Sequence, residues 1–208
     1  MKFVILDVYP QENHRLIKDT AGGYGTGNNF GKNLFSKLLN IYVDSKIVMP
    51  AMEIMYISSI LKINNDVHYT RKLDDPKIVD ADFVIFPSSI IAHETEITAL
   101  EKLKDKKIFV TGIFSNIVKD KYQKKNTVIV KNESDTFFYN LQKLGKLNND
   151  FLLSIFEDHK LINQFYSPVD LDNLPFPDWK DYSNNYPLRN DFFSLNQKIA
   201  IPILSTRG

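Results

Sequence analysis

The alternation of short apolar runs with longer amphipathic stretches is the feature that most restricts the fold of this chain of 208 residues. Five runs of strand length occur in order, at residues 3–6, 67–70, 82–87, 107–112 and 127–130. The first, third and fourth are almost continuously apolar, which is expected of strands that are covered on both faces. The run at 67–70 alternates between apolar and polar residues and is the weakest signal of the set.

Segments of helical length separate these runs. After Pro50, Met52, Met55, Tyr56, Ser59, Ile60 and Ile63 recur at helical spacing, and residues 94–104 and 134–144 carry similar patterns. Strands that alternate with helices indicate a parallel sheet with helices on both faces. The right-handed crossover rule then favours the strand order 2-1-3-4-5. We therefore predict a doubly wound α/β domain with a mainly parallel five-stranded sheet of the Rossmann or flavodoxin type.

The alternating pattern ends near Gly145, so we assign residues 1–146 to the sheet domain. Residues 147–197 read as a helical and extended linker, whose prolines exclude a regular helix or a central strand near 168–177. Phe176 and Trp179 are expected to anchor this linker by packing. Residues 198–208 read as a strand, and an uncovered terminal strand would be an aggregation-prone edge. The sequence thus predicts a truncated chain, in which 198–208 is the first strand of a missing domain.

Composition excludes several classes of function. The net charge of +1 gives no electrostatic attraction toward nucleic acid or an acidic membrane. The sequence lacks cysteine, and its four histidines do not show metal-ligand spacing, so a structural zinc site is not expected. The first apolar run is too short for a signal peptide, and the sequence contains no apolar stretch of membrane-spanning length. We therefore expect a cytoplasmic location.

A glycine-rich stretch follows the first strand. Residues 20–31 contain five of the eight glycines, among them Gly22, Gly23, Gly25 and Gly27. Long glycine-rich loops at the carboxyl end of a parallel strand are where open α/β sheets bind ligands. The glycines come too late for a dinucleotide fingerprint, and the P-loop motif is absent. Contact with a ligand or another domain and a mobile surface loop both remain open for this stretch.

Taken in order, several segments resemble the amino-terminal half of cobalamin-binding-domain radical S-adenosylmethionine enzymes. A proline-led helix, the third and fourth strands and a segment similar to G-E-G-E-x-T all match in sequence order. A D-L-D-x-L-P-x-P linker, the most specific single stretch, is followed by a strand that is similar to the first strand of the catalytic barrel. These segments span residues 49–61, 80–85, 109–112, 130–136, 170–177 and 199–208.

The resemblance implies a corrinoid, cobalamin, that lies across the carboxyl edge of the sheet. Its predicted contacts are the four glycines named above together with Ser88, Ser89, Gly112 and Glu133. The partner would be a carboxyl-terminal barrel that binds S-adenosylmethionine and a [4Fe–4S] cluster through a C-x-x-x-C-x-x-C motif. The resemblance implies a methyltransferase or related enzyme with an unknown substrate. The present chain alone is expected to be inactive.

The sequence departs from the family at several positions. The D-x-H-x-x-G motif, whose histidine ligates cobalt in many cobalamin domains, is absent. Asn132 and Ser134 replace the glycines of G-E-G-E, and Thr111 replaces the first residue of a usual glycine pair. The added side chains hinder close approach of a corrin or its nucleotide tail. The alternative is therefore a non-catalytic scaffold that has lost cobalamin binding and serves domain or substrate docking. A stand-alone flavodoxin-like module is a third reading.

Overall fold

The computed structural model describes residues 1–10, 18, 31–39, 52–131 and 133–180. Four of the predicted contact residues, Gly22, Gly23, Gly25 and Gly27, lie outside this range. The predicted strand at 198–208 also lies outside it.

Five strands form one sheet in the described part of the chain, in the order β2-β1-β3-β4-β5. Every neighbouring pair is parallel. The predicted α/β class and strand order are confirmed. The strands are β1 (Lys2–Leu6), β2 (Asp66–Thr70), β3 (Phe83–Pro87), β4 (Lys107–Thr111) and β5 (Thr127–Ile129).

Helices connect the strands and continue beyond the sheet. Short 3₁₀ helices occur at Pro76–Ile78, His159–Phe165 and Leu171–Asn173, and residues 34–39 are also helical. The labelled α-helices are α1 (Met52–Leu61), α2 (His93–Lys102), α3 (Ile113–Ile117), α4 (Lys119–Tyr122), α5 (Ser134–Lys143) and α6 (Asn149–Glu157).

The register of the strands divides the core into two layers. Ile5 lies opposite Tyr69 on one side and Ile85 on the other, and Ile85 in turn lies opposite Phe109. Because side chains alternate along a strand, this row points to one face of the sheet. That face is covered by α1, α5 and α6, whereas Val4, Val84 and Ile108 pack on the opposite face against α2 and Tyr122 of α4. The sheet is therefore doubly wound, as predicted.

Aromatic rings fill the first of these two layers. The Phe109 ring lies 5.9 Å from Phe83, 5.8 Å from Phe138 and 5.0 Å from Phe156, measured between ring centroids. These distances are within the range in which offset and edge-to-face pairs are favourable. Phe156 belongs to α6, so residues that the sequence assigns to a linker pack into the core of the sheet domain.

The buried face of α1 differs from the one that its apolar spacing suggests. Ile54, Ile57 and Ser58 are buried together with Met55 and Ile60, whereas Ile63 is 54% exposed. Ser58 is tolerated inside because its hydroxyl donates to Asp178 Oδ2 at 3.0 Å. α1 is apolar on more than one side, so spacing alone does not fix which side packs on the sheet.

The proline-rich segment after α6 is anchored by one of the two predicted aromatic residues. Trp179 is partly buried against the first core layer, as is Leu174. Phe176 is 94% exposed, so its predicted anchoring role is wrong. The prolines on either side of Phe176 keep its backbone extended. In the described part of the chain, none of the helices combines the length and apolarity needed to cross a membrane.

Phe109 gives a direct test of this core. We expect Phe109→Ala to lower the free energy of unfolding by about 3–5 kcal/mol, because the buried ring leaves a cavity among other aromatic rings. Phe176→Ala is the matched control, and it should change stability by less than about 0.5 kcal/mol. Urea denaturation followed by circular dichroism measures both. Equal losses for the two variants would contradict the described core.

Candidate functional site

The carboxyl ends of the five strands meet at one edge of the sheet, which is the usual ligand-binding edge of open parallel sheets. β2 and β3 lie on opposite sides of β1, so the topological switch point is between β1 and β3. Asp7 follows β1 directly, Arg71 follows β2, and Ser88 and Ser89 follow β3. The crevice between β1 and β3 is therefore the candidate functional site.

The ammonium group of Lys18 fills this crevice. Its Nζ lies 2.8 Å from Glu96 Oε1 and 3.2 Å from Asp7 Oδ1, and it donates to the Pro87 carbonyl oxygen at 2.8 Å. Lys18 is only 5% exposed, and the two carboxylates are 1% exposed or less. A buried ammonium needs nearby oxygen atoms to offset its desolvation. The Glu96 and Pro87 oxygens lie at hydrogen-bond distance, and Asp7 Oδ1 adds an ion pair.

A second cation and two tyrosines support the Asp7 carboxylate. The Tyr69 hydroxyl donates to Asp7 Oδ2 at 2.8 Å, and Arg71 Nε donates to the Tyr69 oxygen at 3.0 Å. Arg71 Nε also lies 4.0 Å from Asp7 Oδ2. The Tyr9 ring lies 5.1 Å from Lys18 Nζ and 4.4 Å from the Arg71 guanidinium carbon, distances at which cations are attracted to aromatic faces.

Glu96 projects from α2 into the same cluster. Its Oε2 accepts from the Ser89 amide at 3.1 Å and from the Tyr122 hydroxyl at 2.5 Å, and its Oε1 accepts from the Ser89 hydroxyl at 3.1 Å. Burial raises the pKa of the Tyr122 hydroxyl well above its ordinary value, and the charge and hydrogen bond of Glu96 raise it further. Tyr122 therefore stays protonated and remains a donor to Glu96.

The edge cluster, defined as Asp7, Lys18, Arg71 and Glu96, contains two carboxylates and two cations. Isolated buried charges are costly, and such a group is tolerated only when the charges balance and are hydrogen-bonded. Asp7 Oδ1 is the exception, since it is buried beside Lys18 yet makes no hydrogen bond of good geometry. The cluster ties β1 and β2 to α2.

Of the predicted contact residues, Ser88 and Gly112 join β3 to β4. Gly112 has φ of 91° and ψ of 151°, a backbone region that is essentially restricted to glycine. A Cβ at this position would lie 2.5 Å from the Ser88 carbonyl oxygen. The Ser88 hydroxyl donates to the Thr111 carbonyl at 2.6 Å and accepts from the Ser115 amide at 3.0 Å. The absence of a side chain at Gly112 therefore allows Ser88 to pack closely against it, so this space is filled by the protein itself.

Ser89 and Glu133 have different surroundings. Ser89 is fully buried; it bonds Glu96 and accepts from the Ala92 amide at 3.2 Å, so it organises the start of α2. Glu133 is exposed and precedes α5, but its side chain does not cap that helix. The structure therefore brings Ser88, Ser89 and Gly112 to the predicted edge, with both serine side chains buried there.

None of the four members of the edge cluster was singled out as a site residue from the sequence. Glu96 lies on the buried face of α2 with Ala99, Leu100 and Leu103, and this spacing could have indicated a buried charge. Asp7 directly follows a buried strand, which places it at the binding edge. Lys18 has no such local signal, because its partners lie far away in sequence.

An open depression lies at the opposite, amino-terminal edge of the sheet. We do not assign function to it, because parallel sheets bind ligands at their carboxyl ends. Two of its polar side chains, those of Asp82 and Lys62, are also engaged within the protein. The Lys2 amide donates to Asp82 Oδ2 at 2.8 Å, and Lys62 Nζ lies 2.6 Å from Asp178 Oδ2. The described residues contain no group of three or more His, Cys, Asp or Glu placed to hold a metal ion. The depression is lined by Met1, Lys2, Lys62, Asn64, Asn65, Asp66, Asp80 and Asp82.

Comparison with known protein families, curated proteins and solved structures returned no match to this chain.

Lys18 lies between β1 and β3, where a corrinoid tail would enter the carboxyl edge of the sheet. A ligand group that entered there would have to displace Lys18 from Asp7, Glu96 and Pro87. The small residues that could admit a ligand, Ser88 and Gly112, already pack against each other. As they are arranged, these residues do not fit a corrinoid at the switch point.

Gly112 gives a test of this arrangement. We expect Gly112→Ala to destabilise the protein by about 2 kcal/mol more than Gly145→Ala, because its Cβ would meet backbone in a conformation that alanine avoids. Gly145 also has a positive φ, of 66°, but nothing lies within 4 Å of a Cβ built there. Thermal and urea unfolding measure the difference. Equal effects would show that Ser88 and Gly112 are not in close contact.

Proposed function

We propose that this chain is an accessory α/β domain of a radical S-adenosylmethionine enzyme that docks against the catalytic barrel and does not carry a corrinoid. The observation that carries the proposal is the Lys18 ammonium, held 2.8 Å from Glu96 and 3.2 Å from Asp7 in the crevice where a ligand would enter. The order of family-like segments in the sequence supports the identity of the partner. The sheet then serves as a scaffold with a closed binding edge.

An apolar surface beside the closed crevice supports a docking role. Ile113 and Ile117 lie four residues apart on α3, so they share a helix face, and they are 60% and 73% exposed. Ile90, after β3, is 39% exposed, and its carbonyl oxygen lies 3.2 Å from His93 Nδ1. The His93 ring lies 5.7 Å from the Phe114 ring and so connects the two segments. We name Ile90, Ile113 and Ile117 the edge patch.

The edge patch suits a partner domain better than bulk water. Single exposed apolar residues are ordinary, whereas apolar residues grouped beside a binding edge are typical of contact surfaces. The occupant that the resemblance implies is a radical S-adenosylmethionine barrel, whose position over the carboxyl edge would cover these isoleucines. In this role the domain would position the barrel or its substrate without chemistry of its own.

Corrinoid binding is the competing function, and a titration separates the two. We expect that adding the protein to hydroxocobalamin will leave its visible spectrum unchanged at near-millimolar concentrations, because Lys18 occupies the crevice. Cobinamide, which lacks the nucleotide tail, is the matched ligand and should behave the same way. A saturable spectral shift with hydroxocobalamin would overturn the proposed closed edge and restore the corrinoid function.

Docking is tested by an apolar-to-acidic substitution in the edge patch. We expect Ile117→Asp to weaken binding to a radical S-adenosylmethionine barrel from the same genome by about tenfold or more, because a charge would be buried at the interface. Val79→Asp is the control, since Val79 is also 73% exposed but precedes β3 at the other edge of the sheet. Calorimetry measures both affinities. Equal weakening by the two variants would contradict docking through the edge patch.

A further inference from the structure

Three oxygen atoms and an aromatic ring surround the Lys18 ammonium, and together they suit a primary ammonium group. Two carboxylate oxygens and one carbonyl oxygen, from Asp7, Glu96 and Pro87, lie between 2.8 and 3.2 Å from Nζ. An ammonium carries three N–H donors, which equals the number of these oxygens. The Tyr9 ring, 5.1 Å from Nζ, adds an aromatic face on another side.

The carboxylates of this site are held in place by groups other than Lys18. Glu96 accepts hydrogen bonds from Ser89 and Tyr122, and Asp7 accepts one from Tyr69. Their positions therefore do not depend on Lys18 alone. Asp7 Oδ1 is buried without a hydrogen bond of good geometry, so this oxygen is not fully used by the lysine that lies beside it. A cation with more freedom to orient than a tethered side chain could satisfy it.

We propose that the crevice between β1 and β3 is a binding site for the primary ammonium group of a small molecule, and that Lys18 occupies it in this structure. Such a ligand competes with the Lys18 side chain for the same oxygens. Because Lys18 is tethered to the chain, it acts at a high effective concentration, and the unaltered protein binds free amines weakly. This inference goes beyond docking and does not depend on it, since it concerns only residues within the crevice.

The variant Lys18→Ala tests the proposal, because it empties the site that the Lys18 ammonium occupies. Lys18→Ala removes three methylene groups and the ammonium, which are the atoms of n-propylammonium. This amine is protonated at pH 7, as a lysine side chain is. We expect n-propylammonium to raise the melting temperature of the variant by about 3 °C or more at ten times its dissociation constant, because a ligand that binds only the folded state stabilises it. The unaltered protein should shift less.

Matched ligands separate recognition of ammonium from general effects. Tetramethylammonium at the same ionic strength lacks N–H donors, and n-propanol fills the same volume without charge. Neither should reproduce the shift of n-propylammonium. If the melting temperature of the variant responds equally to all three compounds, or to none of them, the proposal is overturned.

Matched variants locate the effect. Lys18→Met fills the space left by the lysine and should not respond to n-propylammonium. Lys106→Ala removes a lysine whose ammonium donates to the Val79 and Ala81 carbonyls, and this variant should respond no more than the unaltered protein. Adding Glu96→Gln to Lys18→Ala should weaken amine binding at least about tenfold, because the amide no longer carries a charge. A response that persists unchanged in that double variant contradicts the site.

Refolding keeps the test decisive if Lys18→Ala does not fold by itself. In that case the yield of folded protein after dilution from urea is measured with each added compound. Recovery with n-propylammonium, and not with tetramethylammonium or n-propanol, supports the ammonium site. Failure of n-propylammonium to restore folding, under conditions in which Lys18→Met folds, overturns it.

Discussion

The ion pairs of the Lys18 ammonium with Asp7 and Glu96 are the interaction on which the carboxyl edge depends. Asp7 is fixed to β1 and Glu96 to α2, so one cation joins a central strand to a helix on the sheet. The desolvation of these charges is costly, and only their mutual balance and the surrounding hydroxyl groups make it acceptable. The same contacts occupy the crevice in which sheets of this topology bind ligands. The ion pairs of Lys18 therefore both stabilise the carboxyl edge of the sheet and occupy the crevice between β1 and β3.

At the carboxyl ends of β3 and β4, the protein's own residues also pack against one another. Gly112 adopts its unusual backbone conformation so that Ser88 can pack against it, and the Ser88 hydroxyl links β4 to the start of α3. Small residues at this edge usually suggest space for a ligand, but here the protein itself fills that space. Among the described residues beside this edge, Ile113 and Ile117 on α3 and Ile90 after β3 are exposed apolar side chains. A crevice occupied by Lys18 beside an exposed apolar surface favours docking over corrinoid binding.

Much of the fold could be predicted because it is encoded locally. Continuous apolar runs identified β1, β3 and β4, and the crossover rule fixed their order. Other features depend on contacts that local patterns do not contain. The apolar residues of α1 lie on more than one side, so their spacing does not fix which face is buried. Phe176 resembles Trp179 in polarity, although only Trp179 packs against the core. Lys18 was missed for the same reason, since it meets Glu96 across 78 positions of sequence.

A double-mutant cycle between Lys18 and Glu96 tests the account most directly. Lys18→Met and Glu96→Gln each remove one charge while keeping much of the side-chain volume. If the ammonium and carboxylate are paired in the buried crevice, the free energies of unfolding of the single and double variants should give a coupling of at least about 1.5 kcal/mol. Effects that add to within about 0.5 kcal/mol would mean that the two residues do not interact, and that the crevice is open.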